Sequence, residues 1–97
     1  MKIIALSTNV PGVSREQFAP HLKAEALRVW ELVQSNALRE IYFRADERSA
    51  VLIFECDSTE EANEHLNTLP LVKEGLITFE VIPLIPYVGF ATLFADA

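Results

Sequence analysis

A histidine and a glutamate early in the chain, His21 and Glu25, have the types and the spacing of a proton-transfer pair. Residues four apart share one face of a helix, where their side chains are within reach of each other. An imidazole changes charge near neutral pH and a carboxylate favours its charged form, so the pair suits general acid–base catalysis. The same spacing is also typical of a solvated surface pair, and the sequence leaves both interpretations open.

Two arginines, Arg39 and Arg44, lie in the segment LREIYFR, whose apolar and aromatic residues predict a strand. A guanidinium group there can hold a carboxylate or enolate oxygen by charge-assisted hydrogen bonds. The alternative is structural, because an unpaired charge on an apolar strand is costly. In that case Arg39 pairs with Glu55, or Arg44 pairs with Glu80, or these side chains extend along the edge of the sheet to reach solvent.

Aromatic residues near these charges, including Trp30 and Tyr42, are candidates for the wall of a substrate pocket, although such residues more often belong to the core. No metal site is predicted, since His65 has no second histidine at a ligand spacing. Cys56 ends an apolar strand and is interpreted as a small buried hydrophobic residue. The chain has no glycine-rich phosphate loop.

Length and charge limit the classes of function. The 97 residues are enough for one domain, and the formal net charge of −6 disfavours binding to nucleic acid. One cysteine cannot form an internal disulfide, and the first residues lack the apolar run of a signal peptide, so a cytoplasmic location is expected. The apolar stretch of residues 69–90 is interrupted by charges and prolines, which predicts no membrane span.

Hydrophobic periodicity predicts four strands and two helices in the order βαββαβ. Ser14 with Gln17, and Ser58 with Glu61, have the spacing of a capping box, which marks the start of each helix. The first helix is predicted to run for roughly twenty residues, and the second to stop before Pro70. The predicted strands cover residues 2–8, 38–44, 50–56 and 76–83, with the turn ADERS between the second and third.

This order predicts an α+β, ferredoxin-like fold, a four-stranded antiparallel sheet with two helices on one face. Odd and even positions of the strands are both apolar, so both faces of the sheet are apolar. The face without helices is therefore expected to be buried by a second copy of the chain. We therefore predict a homo-oligomer, a dimer or larger, that pairs as a dimeric α+β barrel. Residues 1–85 form the predicted domain, and the aromatic tail of residues 86–97 is predicted to pack on a neighbouring subunit rather than over its own helices.

Several runs resemble the muconolactone isomerase family: LKAEA, LREIYFR, DSTEEANEHLNTLPL and the following ITFEV. The resemblance implies a dimeric barrel and a cofactor-free proton shift on a small unsaturated lactone. Glu25 and Arg39 fall on positions that match the family, and Arg44 falls on its second basic strand position. The family's first strand carries a histidine where this chain has IIAL, so the substrate stays unidentified.

Two other functions remain open at this stage. One is a cofactor-free monooxygenase of the dimeric α+β barrel group, which an aromatic cavity without convergent charge would favour. The other is a non-catalytic binding or assembly module, which a filled cavity would favour. Glu25 and Arg39 facing one cavity would favour the isomerase.

Overall fold

Four strands form one antiparallel sheet in the computed structural model, which describes residues 1–96. The order across the sheet is β2-β3-β1-β4, so the two strands that follow helices lie at the edges. This arrangement confirms the predicted α+β, ferredoxin-like fold. The strands are β1 (Lys2–Asn9), β2 (Leu38–Phe43), β3 (Ala50–Glu55) and β4 (Ile77–Pro83).

The first predicted helix is interrupted, contrary to the expectation of one continuous helix. It consists of α1 (Arg15–Phe18), a 3₁₀ turn (Ala19–His21) and α2 (Leu22–Gln34). Pro20 has no backbone N–H to donate, which accounts for the change of helical type at this point. The predicted capping interaction is present, since Gln17 Oε1 accepts the Ser14 N–H at 2.6 Å.

The second predicted helix is followed by an additional helical turn that the sequence analysis missed. α3 (Thr59–Leu66) begins as expected, with Ser58 Oγ accepting the Glu61 N–H at 3.2 Å. A short α4 (Pro70–Lys73) then starts at Pro70, a residue that suits the first position of a helix. No helix within residues 1–96 is long and apolar enough to cross a membrane.

The core lies between α2, α3 and one side of the sheet. Along β1, Ile3 and Ala5 point into this core and are fully buried, whereas Ile4 and Leu6 point to the opposite side and are half-buried. The residues of β3 and β4 that pair with Ile4 and Leu6 lie on that opposite side as well. We call it the open face; its apolar members are Ile4, Leu6, Val51, Ile53 and Ile82.

The C-terminal tail leaves its aromatic side chains in solvent. After β4 the chain continues without regular structure and ends in a 3₁₀ helix (Gly89–Phe94). Phe90 is 65% exposed and Phe94 is 84% exposed, so neither packs into the core of its own chain. Tyr87 packs edge-to-face on Phe90, with 4.8 Å between ring centroids. Packing of this tail on a neighbouring subunit stays a prediction.

Ending the chain after Tyr87 tests that prediction. The truncated protein should keep its thermal midpoint within a few degrees, because the removed side chains contribute little to its own core. Its oligomer should be weaker than that of the full chain, so it should dissociate at a higher protein concentration in sedimentation equilibrium. An unchanged oligomer together with a lowered thermal midpoint would show that the tail stabilises its own subunit.

Candidate functional site

A cleft of about 1140 Å³ opens between α1, α2 and the helix-facing side of the sheet. Helix residues form one wall and strand residues form the floor and the other wall. Three of the predicted site residues, Glu25, Arg39 and Trp30, line this cleft. The structure therefore brings together a carboxylate, a guanidinium group and a large aromatic ring that the sequence separates by up to fourteen positions.

Glu25 is half-buried and is held by a distant part of the chain. Its Oε1 accepts the backbone N–H of Leu71 at 3.0 Å. Leu71 lies in the first turn of α4, where backbone N–H groups lack helical partners, and the residue before that helix, Leu69, provides no side-chain cap. Glu25 thus caps α4 from a neighbouring helix, while its Oε2 makes no hydrogen bond to residues 1–96.

Burial raises the pKa of the Glu25 carboxyl above its ordinary value of 4.5, and the Leu71 N–H lowers it by a smaller amount. Desolvation disfavours the charged form, whereas a hydrogen bond to the carboxylate favours it. A carboxylate with a raised pKa is a stronger base than one in water. Glu25 therefore has the anchoring and the basicity of a group that accepts a proton from a carbon acid.

Three arginines line the cleft, Arg15, Arg39 and Arg48. None of them has an acidic partner within salt-bridge distance in the described part of the chain. The other two arginines, Arg28 and Arg44, form ion pairs and do not line the cleft. Two acidic residues, Glu25 and Glu40, line the cleft as well, so its arginines outnumber its carboxylates by one and favour an anionic ligand.

Arg39 occupies an irregular position in β2, where the register with β3 shifts between Leu38 and Glu40. Its Nε donates to the backbone oxygen of Asn36 at 2.6 Å, which orients the guanidinium group and leaves its terminal nitrogens available. The expected pair with Glu55 is wrong. Glu55 lies instead 3.6 Å from the amino terminus of Met1.

Arg44 does not reach the cleft. It pairs with Asp46 at 2.6 Å and with Glu47, both in the turn that follows its own strand. The expected pair with Glu80 is therefore wrong as well. The short turn brings these carboxylates next to the guanidinium group, so local geometry decides its partner.

Aromatic side chains form part of the cleft wall. Trp30 and Phe43 line it from α2 and β2, and the Arg48 guanidinium lies 5.7 Å from the centroid of the Phe43 ring. Tyr42, by contrast, does not line the cleft. Its neighbour Phe43 points to the cleft, so the alternation of a strand directs Tyr42 to the open face, where its hydroxyl donates to Glu40 at 2.6 Å.

His21 also lies outside the cleft and makes no ion pair with Glu25 within residues 1–96. It is the last residue of the 3₁₀ turn, so the chain between the two residues does not follow one regular α-helix. The predicted proton-transfer pair is not present, and Glu25 makes its hydrogen bond to Leu71 instead.

Ser7 was not predicted as a site residue, yet it lines the cleft from β1 and is only 8% exposed. Its Oγ accepts the Ala50 N–H at 2.7 Å, so its hydroxyl proton remains available to a ligand. The sequence gives one indication of this role: Ser7 is a polar residue at a position of the apolar first strand that alternation places on the same side as Ile3 and Ala5. Arg15 and Arg48 were missed because nothing in a helix start or a hairpin turn distinguishes a cleft arginine from a surface one.

Comparisons with known proteins agree with this fold. A solved structure with 18% sequence identity has a TM-score of 0.70 and covers 90% of this chain and 96% of its own. It is 5-chloro-2-hydroxyhydroquinone dehydrochlorinase from Burkholderia phenoliruptrix AC1100 in complex with 2,5-dihydroxybenzoquinone, and at this identity the similarity concerns the fold alone. No curated protein sequence matches the chain. The sequence profile of muconolactone delta-isomerase matches residues 3–88.

Proposed function

The chain belongs to the muconolactone delta-isomerase family, and we propose that it catalyses a cofactor-free proton shift on an unsaturated lactone or a related unsaturated acid. One observation carries this proposal: Glu25 shares its cleft with three arginines that have no acidic partner in the described chain. A base and a positively charged wall are the two elements that such a reaction needs.

The proposed reaction uses Glu25 as both base and acid. Oε2 takes a proton from the saturated carbon at one end of the three-carbon unit next to the substrate carbonyl, and the electron pair of the broken C–H bond is delocalised onto the carbonyl oxygen. Glu25 then returns the proton to the far carbon of the conjugated enolate, so the double bond moves and no atom is lost. The raised pKa of Glu25 suits a group that must hold and then release a proton.

Other side chains of the cleft bind the substrate in this proposal. Arg39 binds a substrate carboxylate or the enolate oxygen through charge-assisted hydrogen bonds from its terminal nitrogens. Ser7 offers a further hydrogen-bond donor from the floor of the cleft, since its oxygen is already oriented by the Ala50 N–H. Trp30 and Phe43 cover the apolar part of the ligand.

The two alternative functions required a different cleft. A monooxygenase was expected to have an aromatic cavity without convergent charge, and a binding module was expected to have a filled cavity. Trp30 and Phe43 do line the cleft, but Glu25 and the unpaired arginines line it too. The cleft is also open rather than filled. These features support the isomerase over both alternatives.

Solvent exchange tests the proposed reaction while the natural substrate is unidentified. The protein is incubated in D₂O with muconolactone and with a panel of other unsaturated γ-lactones and unsaturated acids, and proton NMR follows the carbon next to the carbonyl. For at least one compound the double bond should move, or deuterium should enter that position, faster than in buffer alone. Neither change above the rate in buffer across the panel would contradict the proposal.

Replacing Arg39 with alanine should raise KM for the compound that exchanges by about 10- to 100-fold, as expected for the loss of a charged hydrogen bond. The value of kcat should change less if Arg39 binds a carboxylate that is charged throughout the reaction. Arg44→Ala is the matched control, because Arg44 is paired in the hairpin turn and lies outside the cleft. Equal effects of the two substitutions would remove Arg39 from the proposed site.

A further inference from the structure

A second group of reactive side chains lies outside the cleft, at the junction of β3 and α3. Cys56 follows β3, and Glu61 and His65 are four residues apart on α3. Each of the three offers one ligand atom, and these atoms all lie within 4.8 Å of one another. None of the three residues lines the cleft. The proposed function leaves this cluster without a role.

Each member of the cluster is held in place by a separate contact. Glu61 Oε2 accepts the Asp57 N–H at 2.7 Å, while its Oε1 lies 3.9 Å from His65 Nε2. The His65 ring lies parallel to the Phe54 ring, with 6.0 Å between centroids. Cys56 is only 4% exposed, so its sulfur is confined by the core. These contacts keep the three side chains close together, while Glu61 Oε1 accepts no hydrogen bond within residues 1–96 and can turn toward an ion.

We propose that Cys56, Glu61 and His65 bind a divalent metal ion, with Zn²⁺ as the ion that fits best. Sulfur, imidazole nitrogen and carboxylate oxygen are the three ligand types that zinc takes in proteins. The softer thiolate disfavours Mg²⁺ and Ca²⁺, which prefer oxygen ligands. Three protein ligands leave one position of a tetrahedral ion for water.

The distances are compatible with zinc after a small movement. Ligand atoms around a tetrahedral zinc ion are about 3.4–3.6 Å apart, given the usual metal–ligand bond lengths. The cluster spans at most 4.8 Å, so rotations of the Glu61 and His65 side chains must bring the atoms closer by roughly 1 Å. Both side chains are partly exposed on α3 and can make this adjustment.

The local charge also favours a cation. Three acidic residues, Glu55, Asp57 and Glu61, surround Cys56 along the chain, and of these Glu55 lies 3.6 Å from the amino terminus of Met1. A bound dication would favour the thiolate form of Cys56. On binding, the thiol releases its proton to solvent.

The sequence indicated no metal site because these three residues match no established ligand spacing. They approach one another because Cys56 lies between β3 and α3, and Glu61 and His65 share one face of α3. The inference does not depend on the proposed isomerase activity, since the two sites share no residue.

Cobalt titration of the full chain, prepared without a histidine tag, tests the site. Co²⁺ bound to a thiolate gives a charge-transfer absorption band in the near ultraviolet, and Cys56 is the chain's one cysteine, so such a band reports on it alone. We expect one Co²⁺ per chain with this band, displaced by Zn²⁺. Cys56→Ser should abolish the band, and His65→Gln should weaken binding by at least about tenfold.

His21→Gln is the matched control, because His21 is the chain's other histidine and lies away from the cluster. It should bind Co²⁺ as the unaltered chain does. Thermal unfolding provides a second readout that needs no cysteine variant: Zn²⁺ should raise the thermal midpoint of the unaltered chain and of His21→Gln equally, and that of His65→Gln by less. Absence of the thiolate band in the unaltered chain, or equal affinity in His65→Gln, would overturn the proposal.

Discussion

Replacing Glu25 with glutamine should lower the turnover of the exchanging lactone or acid by about 10²- to 10⁴-fold, the range typical of a lost general base. Glutamine has nearly the same shape and keeps an oxygen that can accept the Leu71 N–H. What it lacks is a site for the transferred proton. The thermal midpoint should therefore stay within a few degrees, and both quantities are measured on the same preparation.

Glu25→Ala is the informative companion, because it removes the cap as well as the base. Loss of the acceptor for the Leu71 N–H should destabilise the fold by about 0.5–2 kcal/mol, the usual effect of deleting a helix cap. A glutamine variant that unfolds as easily as the alanine variant while keeping full turnover would show that Glu25 is purely structural.

The pH dependence of activity and stability follows from the raised pKa of Glu25. The base is active as the carboxylate, so kcat/KM should fall as the pH drops through a value above the ordinary 4.5. For stability, the folded state binds this proton more tightly than the unfolded state does. The charged form thus costs stability above the folded pKa, and Glu25→Gln should be more stable relative to the unaltered chain at pH 8 than at pH 4.

Replacing Ile4 with aspartate should weaken the proposed homo-oligomer by at least about a thousandfold, because pairing would bury an unpaired charge. Ile4 lies on the central strand of the open face, between Ile53 on β3 and Ile82 on β4. It is half-buried in the single chain, so the charge remains accessible to water before association. Sedimentation equilibrium measures the effect, and circular dichroism confirms that the chain still folds.

Leu27→Asp is the control for this substitution. Leu27 is an exposed apolar residue of α2, on the helical side of the sheet, so a charge there should leave pairing through the open face unchanged. If Ile4→Asp keeps the oligomer of the unaltered chain while Leu27→Asp breaks it, the subunits pair through their helices. A folded chain that is monomeric at micromolar concentration without any substitution would contradict the proposed pairing altogether.

The sequence by itself determined the order of the strands and helices and the fold class. Alternating apolar residues, breakers and capping spacings are local signals, and Ser14 with Gln17 acts over three positions. Local signals were less reliable within an element. The missing N–H of Pro20 broke the first helix, and Pro70 started a new turn rather than ending the helical region.

Only the tertiary structure decided which polar side chains share the cleft. Glu25 and Leu71 are 46 positions apart, and no local pattern records that a carboxylate on α2 caps a helix from another part of the chain. Tyr42 and Phe43 are adjacent, yet the strand pleat turns only Phe43 toward the cleft. Arg39 and Arg44 both belong to the predicted second strand, but only Arg44 is next to the hairpin turn, whose carboxylates pair with it. A side chain's role depends on neighbours that folding brings from distant positions, so residue type and spacing along the chain were not enough to assign it.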